Sequence, residues 1–91
     1  MYNYFMLMGL ITDIENDNLK LQVVNEFKSK DGQYKIFDYD IKIDEKLREY
    51  IKEYICVGNR IGVAGIIQKD NENNIILIAH RVTGLNSFRL E

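Results

Sequence analysis

The chain is 91 residues long and 46% hydrophobic, lacks tryptophan and proline, and carries a formal net charge of −2. A single domain over residues 1–91 is predicted, and a domain of this size buries only about 60–65% of the surface that its unfolded chain exposes. No apolar run approaches the ~20 residues of a membrane-spanning helix. The negative net charge argues against a surface that is basic throughout. We therefore expect a small soluble domain without membrane contact.

The N-terminal segment is predicted to form a β-strand and not a secretory signal. No basic residue precedes its apolar stretch, as a signal peptide would require, so a cytoplasmic location is expected. The strand is predicted over residues 4–12, and because it is hydrophobic at nearly every position we expect both of its faces to be covered. A polar turn is predicted over residues 13–18.

A hairpin is predicted next. Leu19, Leu21 and Val23 alternate with polar residues, which is the period-2 pattern of a half-buried second strand that ends at Phe27. Residues 28–33 are predicted to form the loop, since they contain an Asp-Gly pair that tolerates positive φ angles. The third strand is predicted over residues 34–43, with an apolar face formed by Phe37, Tyr39, Ile41 and Ile43.

One amphipathic helix is predicted after the third strand. Asp44 can accept hydrogen bonds from the free amides of its first turn, and Gly58 suits the left-handed position after its last. The face that packs under the sheet is predicted to consist of Leu47, Tyr50, Ile51, Tyr54 and Ile55. Cys56, the single cysteine, is predicted to be a small buried residue beside the helix end, since it has no partner for a disulfide.

Two further strands are predicted over residues 60–68 and 75–85, separated by a turn over residues 70–74. Alternation in the last strand assigns Ile76, Ile78 and Val82 to one face and Ile75, Leu77 and Ala79 to the other. Because the last strand is apolar on both faces, strands one, four and five are predicted to form a subunit interface. The element order, with glycines inside the strands, predicts an all-β fold: a five-stranded Greek-key barrel with one α-helix between strands 3 and 4.

The sequence offers little for catalysis or metal binding. His80 is the only histidine and has no partner at metal-ligand spacing, and nothing completes a catalytic set around Asp38 and Asp40. These two carboxylates are expected to be solvated or paired with lysines across the sheet. We therefore expect no enzyme and no cofactor.

Three segments resemble the bacterial single-stranded DNA-binding protein family, which has an OB-fold: the glycine-containing first strand over residues 4–12, the second strand over 19–25, and the helix, glycine turn and valine–glycine strand over 50–65. The resemblance implies an OB-fold and binding of single-stranded DNA, or of RNA, without sequence preference. It also implies self-association as a homodimer or homotetramer. A shorter relative with the same barrel, the B-type primosomal replication protein, acts as a dimer.

Such binding would use aromatic platforms for bases and cationic groups for phosphates. The predicted contact residues are Phe27, Lys28, Lys30, Tyr34, Lys35, Phe37, Tyr39, Lys69 and Arg81. For Phe37 and Tyr39 the competing interpretation is that they fill the core, because they share a face with Ile41 and Ile43.

The chain departs from the family in two ways. It has no tryptophan to stack on bases, and it ends at Ser87-Phe88-Arg89-Leu90-Glu91, where the family carries an acidic tail that recruits replication proteins. Recruitment through such a tail is therefore not expected. The alternative function is a protein-interaction or assembly module with an OB-fold and weak or no DNA binding, in which the aromatic residues would be buried.

Overall fold

Five strands close into a barrel in the order β1-β2-β3-β5-β4 in a computed structural model. The structure describes residues 3–28 and 30–85; for residues 25–28 and 34 it describes the backbone and not the side chains. All neighbouring pairs are antiparallel except β3 and β5, which are parallel. This arrangement confirms the predicted OB-fold, with its helix between the third and fourth strands. The elements are β1 Tyr4–Glu15, β2 Asn18–Lys28, β3 Tyr34–Lys42, α1 Glu45–Tyr54, β4 Arg60–Lys69 and β5 Ile75–Gly84.

The core lies inside the barrel and is built from aliphatic side chains on alternate positions of the strands. Apolar burial on this pattern supplies the main driving force for closing the sheet. The fully buried members are Ile11, Leu19, Leu21, Ile41, Ile51, Ile61 and Val63.

The first strand is longer than predicted. Its pairing with β2 skips from Ile11 opposite Leu21 to Asp13 opposite Lys20, so Thr12 is the extra residue of a β-bulge. After the bulge the chain stays paired as far as Glu15, so the prediction of a turn from residue 13 was wrong. Cross-strand pairing satisfies the backbone of this polar segment and extends the strand past its apolar part.

Two glycines allow neighbouring strands to approach closely. A Cβ atom at Gly65 would overlap the carbonyl oxygen of Ile78, and one at Gly9 would overlap the carbonyl oxygen of Gln22. Neither position can carry a side chain without moving a backbone, so glycine is required where the barrel curves.

A second bulge overturns the predicted faces of β5. Its pairing with β4 passes from Ala64 opposite Arg81 to Gly65 opposite Ala79, which leaves His80 as the extra residue. Ala79 and Val82 are therefore both buried although they are three positions apart, and His80 and Arg81 are both exposed. Strict alternation placed Ala79 and Val82 on opposite faces, which was wrong because a bulge shifts the phase by one residue.

The helix begins where predicted. The Leu47 amide donates to Oδ1 of Asp44 at 2.8 Å, so the N-cap is confirmed. Ile51 and Ile55 are buried and Leu47 packs against the core. The two tyrosines predicted on the same face are exposed instead, and their rings lie against each other with centroids 5.0 Å apart.

The helix ends earlier than predicted, at Tyr54. The chain is already extended at Ile55, and Gly58, with φ of +96°, belongs to the turn that follows. Several hydrogen bonds hold this turn. Among them, the Cys56 amide donates to Oδ1 of Asn59 at 2.7 Å, and the Gly58 amide donates to the Ile11 carbonyl at 2.8 Å. Cys56 is exposed in this turn, so the prediction of a buried cysteine was wrong. Within the described part of the chain, no helix is both long enough and apolar enough to cross a bilayer.

Candidate nucleic-acid interface

The β2–β3 hairpin projects beyond the closed barrel. In β3, Ile41 and Lys42 pair with β5, whereas the pairing with β2 extends along the strand as far as Tyr34. We call the part of the hairpin from the Val23–Phe37 pair to its tip the hairpin arm. Phe37 is 44% exposed on one face of the arm, and Val24 and Ile36 are more than half exposed on the other.

Lys35, Phe37 and Tyr39 occupy alternate positions of β3 and so lie on one face of the strand. Along this face the environment changes from solvent to core. Lys35 is exposed, Phe37 is partly exposed, and Tyr39 packs against the barrel core. Tyr39 is therefore partly buried at the barrel end of this face, and Phe37 is the ring on it with the larger free surface.

The β4–β5 turn lies at the same end of the barrel. Because Ile41 is level with Leu77 in the parallel pair, two steps back along both strands bring Ile75 level with Tyr39. Ile75 is 68% exposed and lies opposite Lys69 across the β4–β5 ladder. We call this set the rim surface: Lys35, Phe37, Tyr39, Lys69 and Ile75.

The turn beside Lys69 is held by one carboxylate. Oδ1 of Asp70 accepts hydrogen bonds from the amides of Glu72 and Asn74, both at 2.9 Å. These hydrogen bonds lower the pKa of Asp70 below its ordinary value, and the bond from the Asn74 amide has the largest effect. Asn73 takes the left-handed conformation with φ of 69°, which completes a compact turn. Local hydrogen bonds thus hold the turn that follows Lys69, and they place the Asp70 carboxylate in the residue next to it.

The remaining predicted contact residues are distributed differently. Lys30 is exposed in the hairpin loop. Arg81 lies on the outside of β5, level with Ala64 and Met6, and is not part of the rim surface. The side chains of Phe27, Lys28 and Tyr34 lie outside the described residues.

The outward face of the hairpin is acidic on β3. Asp38 lies opposite Gln22 and Asp40 opposite Lys20, and Nδ2 of Asn18 donates to Oδ1 of Asp40 at 3.1 Å. Both carboxylates are exposed, which agrees with the expectation that they are solvated, and Asp40 alone of the two lies opposite a lysine. The carboxylates of Asp38 and Asp40 would repel phosphate groups, whereas the lysines of the rim surface would attract them.

Outside the barrel, β1, β4 and β5 present an apolar surface, which we call the apolar sheet face: Tyr4, Met6, Ala64, Ile66 and Ile78. Cross-strand pairing sets these side chains in two rows, Tyr4–Ile66–Ile78 and Met6–Ala64, and the second row continues to Arg81 on β5. Met6 is 75% exposed. Two shallow grooves on either side of Ala64, of about 410 and 260 Å³, run along this face.

Sequence reasoning missed some of these features. Ile75 was predicted as a face residue of a covered strand, and its exposure follows from its position at the barrel end. Among the described residues, no group of three or more His, Cys, Asp or Glu side chains is placed to hold a metal ion.

Comparisons with known proteins support the fold. No protein-family model and no curated protein sequence matches the chain. Among solved structures, the mitochondrial single-stranded DNA-binding protein Rim1 of S. cerevisiae superposes with a TM-score of 0.68 at 15% identity, covering 93% of this chain and 94% of that one. A small single-stranded DNA-binding protein of Streptomyces coelicolor gives 0.68 at 9% identity, covering 96% of both chains.

A third similar structure is the N-terminal domain of the PriB protein of Thermoanaerobacter tencongensis, described as dimeric. Its TM-score is 0.54 at 16% identity, over 91% of this chain and 96% of that one. At such identities these likenesses establish a shared OB-fold and leave the ligand to be argued from the surface of this chain.

Proposed function

We propose that this protein binds single-stranded DNA without sequence preference, with the rim surface as the first point of contact. The observation that carries the proposal is the OB-fold shared with two single-stranded DNA-binding proteins over more than nine-tenths of the chain, together with an exposed ring between two exposed lysines. No bond chemistry is involved.

The ring supplies contact with bases. Every base has a π-face, so a base stacks on an aromatic side chain whatever its identity, with a contribution of roughly 1–3 kcal/mol. Phe37 is the platform on the rim surface, and Ile75 extends the apolar contact on the neighbouring strand. Tyr39 supports Phe37 from the barrel side, since it lies two residues further along the same face.

The lysines supply contact with phosphates. Lys35 and Lys69 flank the apolar part of the rim surface, and Lys30 lies in the hairpin loop. For a single strand, each neutralised phosphate contributes about −0.7 to the slope of log affinity against log salt concentration. Three such contacts therefore give a slope of about −2. The predicted loss of affinity is roughly twentyfold between 50 and 200 mM salt.

The test is a titration of a labelled thymidine oligomer at several salt concentrations. The double variant Lys35→Gln, Lys69→Gln should reduce the slope by about 1.4. A matched control is the double variant Lys46→Gln, Lys52→Gln, which removes the same charge from α1. Equal slopes for the wild type and the rim variant would contradict the proposal, as would failure of the wild type to bind at low salt. An RNA oligomer of the same length distinguishes the two nucleic acids.

Self-association is the second part of the proposal, as a homodimer or homotetramer through the apolar sheet face. Exposed apolar surface of this kind commonly marks an association site, and a domain of 91 residues gains stability from covering it. Met6→Glu should place a charge in the interface and shift light scattering to the monomer mass, whereas Lys20→Glu on β2 should not. A wild-type monomer at all concentrations would exclude this interface.

The alternative function, a protein-interaction or assembly module, is favoured by one observation. The exposed carboxylates of Asp38 and Asp40 occupy the outward face of the hairpin, where they oppose binding of phosphates. The alternative predicts self-association without quenching of tyrosine fluorescence by thymidine oligomers at low salt. The same titration therefore separates the two functions.

A further inference from the structure

A cationic side chain interrupts the apolar sheet face. The row that starts at Met6 and Ala64 ends at Arg81 on β5, and Arg81 lines both of the shallow grooves on this face. His80, the extra residue of the bulge, lines the larger groove beside it. Neither a hydrogen bond nor an ion pair joins the Arg81 guanidinium to another residue that the structure describes. The apolar sheet face therefore presents a positive charge that the described residues leave unpaired.

The strands that form this face contain no carboxylate where they pair with one another. The chain has 14 acidic residues, yet none of them lies in residues 4–12, 60–69 or 75–84. These ranges contain the whole of β4 and β5 and the part of β1 that pairs with β4. The side chains that give the protein its negative net charge therefore belong to other elements, such as β3 and α1.

A second copy that docks through the same face brings no carboxylate of that face to Arg81. In a two-fold contact both copies contribute the same surface, so each adds its own Arg81 and His80. A guanidinium that is buried without a partner is strongly destabilising, because it loses its hydration and gains nothing in return. The covered face therefore requires an anion from solution beside Arg81.

The donors at the larger groove suit a small oxyanion. A guanidinium presents paired N–H groups that match two oxygens of a phosphate, and the His80 ring provides a further N–H. Both side chains are exposed in the single copy, where water weakens their attraction for an anion. A second copy that covers the groove removes this water and strengthens the attraction. Binding of the anion and self-association should therefore favour each other.

We propose that Arg81 and His80 form a binding site for a small oxyanion, such as inorganic phosphate, which a second copy completes by covering the apolar sheet face. The inference rests on the self-association in the proposed function and adds a condition to it, namely that the association constant depends on the anion. The rim surface, which is proposed to bind DNA, is not part of this site.

Light scattering at constant pH and ionic strength tests the site when inorganic phosphate replaces chloride. If one or two anions are taken up by each pair of copies, raising phosphate from about 1 to about 10 mM should raise the association constant roughly ten- to hundredfold. Arg81→Met keeps an apolar side chain without the charge, so it should associate independently of phosphate and at least as tightly as the wild type in chloride. Lys52→Met removes the same charge from the exposed side of α1 and is the matched control, which should respond to phosphate as the wild type does. Thermal unfolding of each variant shows that the fold is retained.

NMR gives a second readout that needs no substitution. Addition of phosphate at constant pH should shift the Nε–H signal of Arg81 and the ring signals of His80. The Nε–H signal of Arg48, which lies on α1, should stay in place. Unshifted Arg81 and His80 signals would contradict binding of the anion at this site.

The outcomes separate this inference from the proposed function. Equal association of the wild type in chloride and in phosphate would overturn the anion site and leave the interface standing. An unchanged phosphate response in Arg81→Met would also overturn it, in favour of a general salt effect on apolar association. Association that is raised by a thymidine oligomer and not by inorganic phosphate would overturn the free anion as the ligand. A wild type that is monomeric in both buffers would overturn the interface and the anion site together, whereas DNA binding at the rim surface is decided by its own titration.

Discussion

Replacing Phe37 with alanine removes the stacking platform of the rim surface. A stacked base contributes roughly 1–3 kcal/mol, and because Phe37 is only 44% exposed we expect the lower part of this range, about 1–2 kcal/mol. At about 1.36 kcal/mol for each factor of ten, the dissociation constant should rise by about 5–30-fold. The salt slope should stay as in the wild type, because no charge is removed.

Fluorescence anisotropy of a labelled thymidine oligomer measures both quantities. Tyr54→Ala is the matched control, since Tyr54 is an aromatic residue of α1 with 67% of its surface exposed and lies outside the rim surface. Phe37→Trp should retain the affinity by keeping a π-face. Unfolding curves are needed for each variant because Phe37 also pairs with Val23 across the hairpin. An affinity unchanged in Phe37→Ala, or lowered equally in Tyr54→Ala, would refute stacking on the rim surface.

Three further predictions concern the fold. Gly65→Ala should lower the free energy of unfolding by about 1–3 kcal/mol in urea titrations, because the new methyl group meets the Ile78 carbonyl; a variant as stable as the wild type would refute the close approach. Asp44→Ala should lower it by about 1 kcal/mol through loss of the N-cap, whereas Asp44→Asn should cost less, and equal losses in the two variants would count against capping. NMR titration should give the Asp70 carboxyl a pKa below its ordinary value. The stability that this carboxylate contributes should therefore be present above its pKa in the unfolded chain and be lost as the pH falls through its pKa in the folded protein. A pKa at or above the ordinary value would contradict the hydrogen-bonded turn.

Features encoded by neighbouring residues were predictable from the sequence. The cap at Asp44 depends on one carboxylate and the amides three residues later, and the helix start was correct. The period-2 pattern of Leu19 and Leu21 identified a strand and its inward face, since alternation is a local property of extended chain. The β-barrel follows from the order of such elements.

Features that depend on how strands pair were not predictable in the same way. The bulge at His80 arises from the fit of β5 to Gly65 in a different strand, so alternation gave the wrong faces beyond it. Phe37 is more exposed than Tyr39 although both lie on one face, because Tyr39 lies nearer to the barrel and packs against its core. Arg60 and Gln22 come together only through Leu10, which lies between them in the sheet.

The pairing of the strands also bears on the choice between a polynucleotide and a peptide as the occupant of the hairpin. Near the rim surface, the strand edge available for strand addition is that of β3 in the hairpin arm, because β3 pairs with β5 at Ile41 and Lys42 and not along the arm. That strand carries Lys35, Asp38 and Asp40 at exposed positions, and charged side chains on an edge oppose the docking of another β-strand. A polynucleotide needs no backbone ladder, because it is held through rings and phosphates. The surface of the hairpin is thus better suited to single-stranded nucleic acid than to an added peptide strand, and protein contacts are better placed on the apolar sheet face.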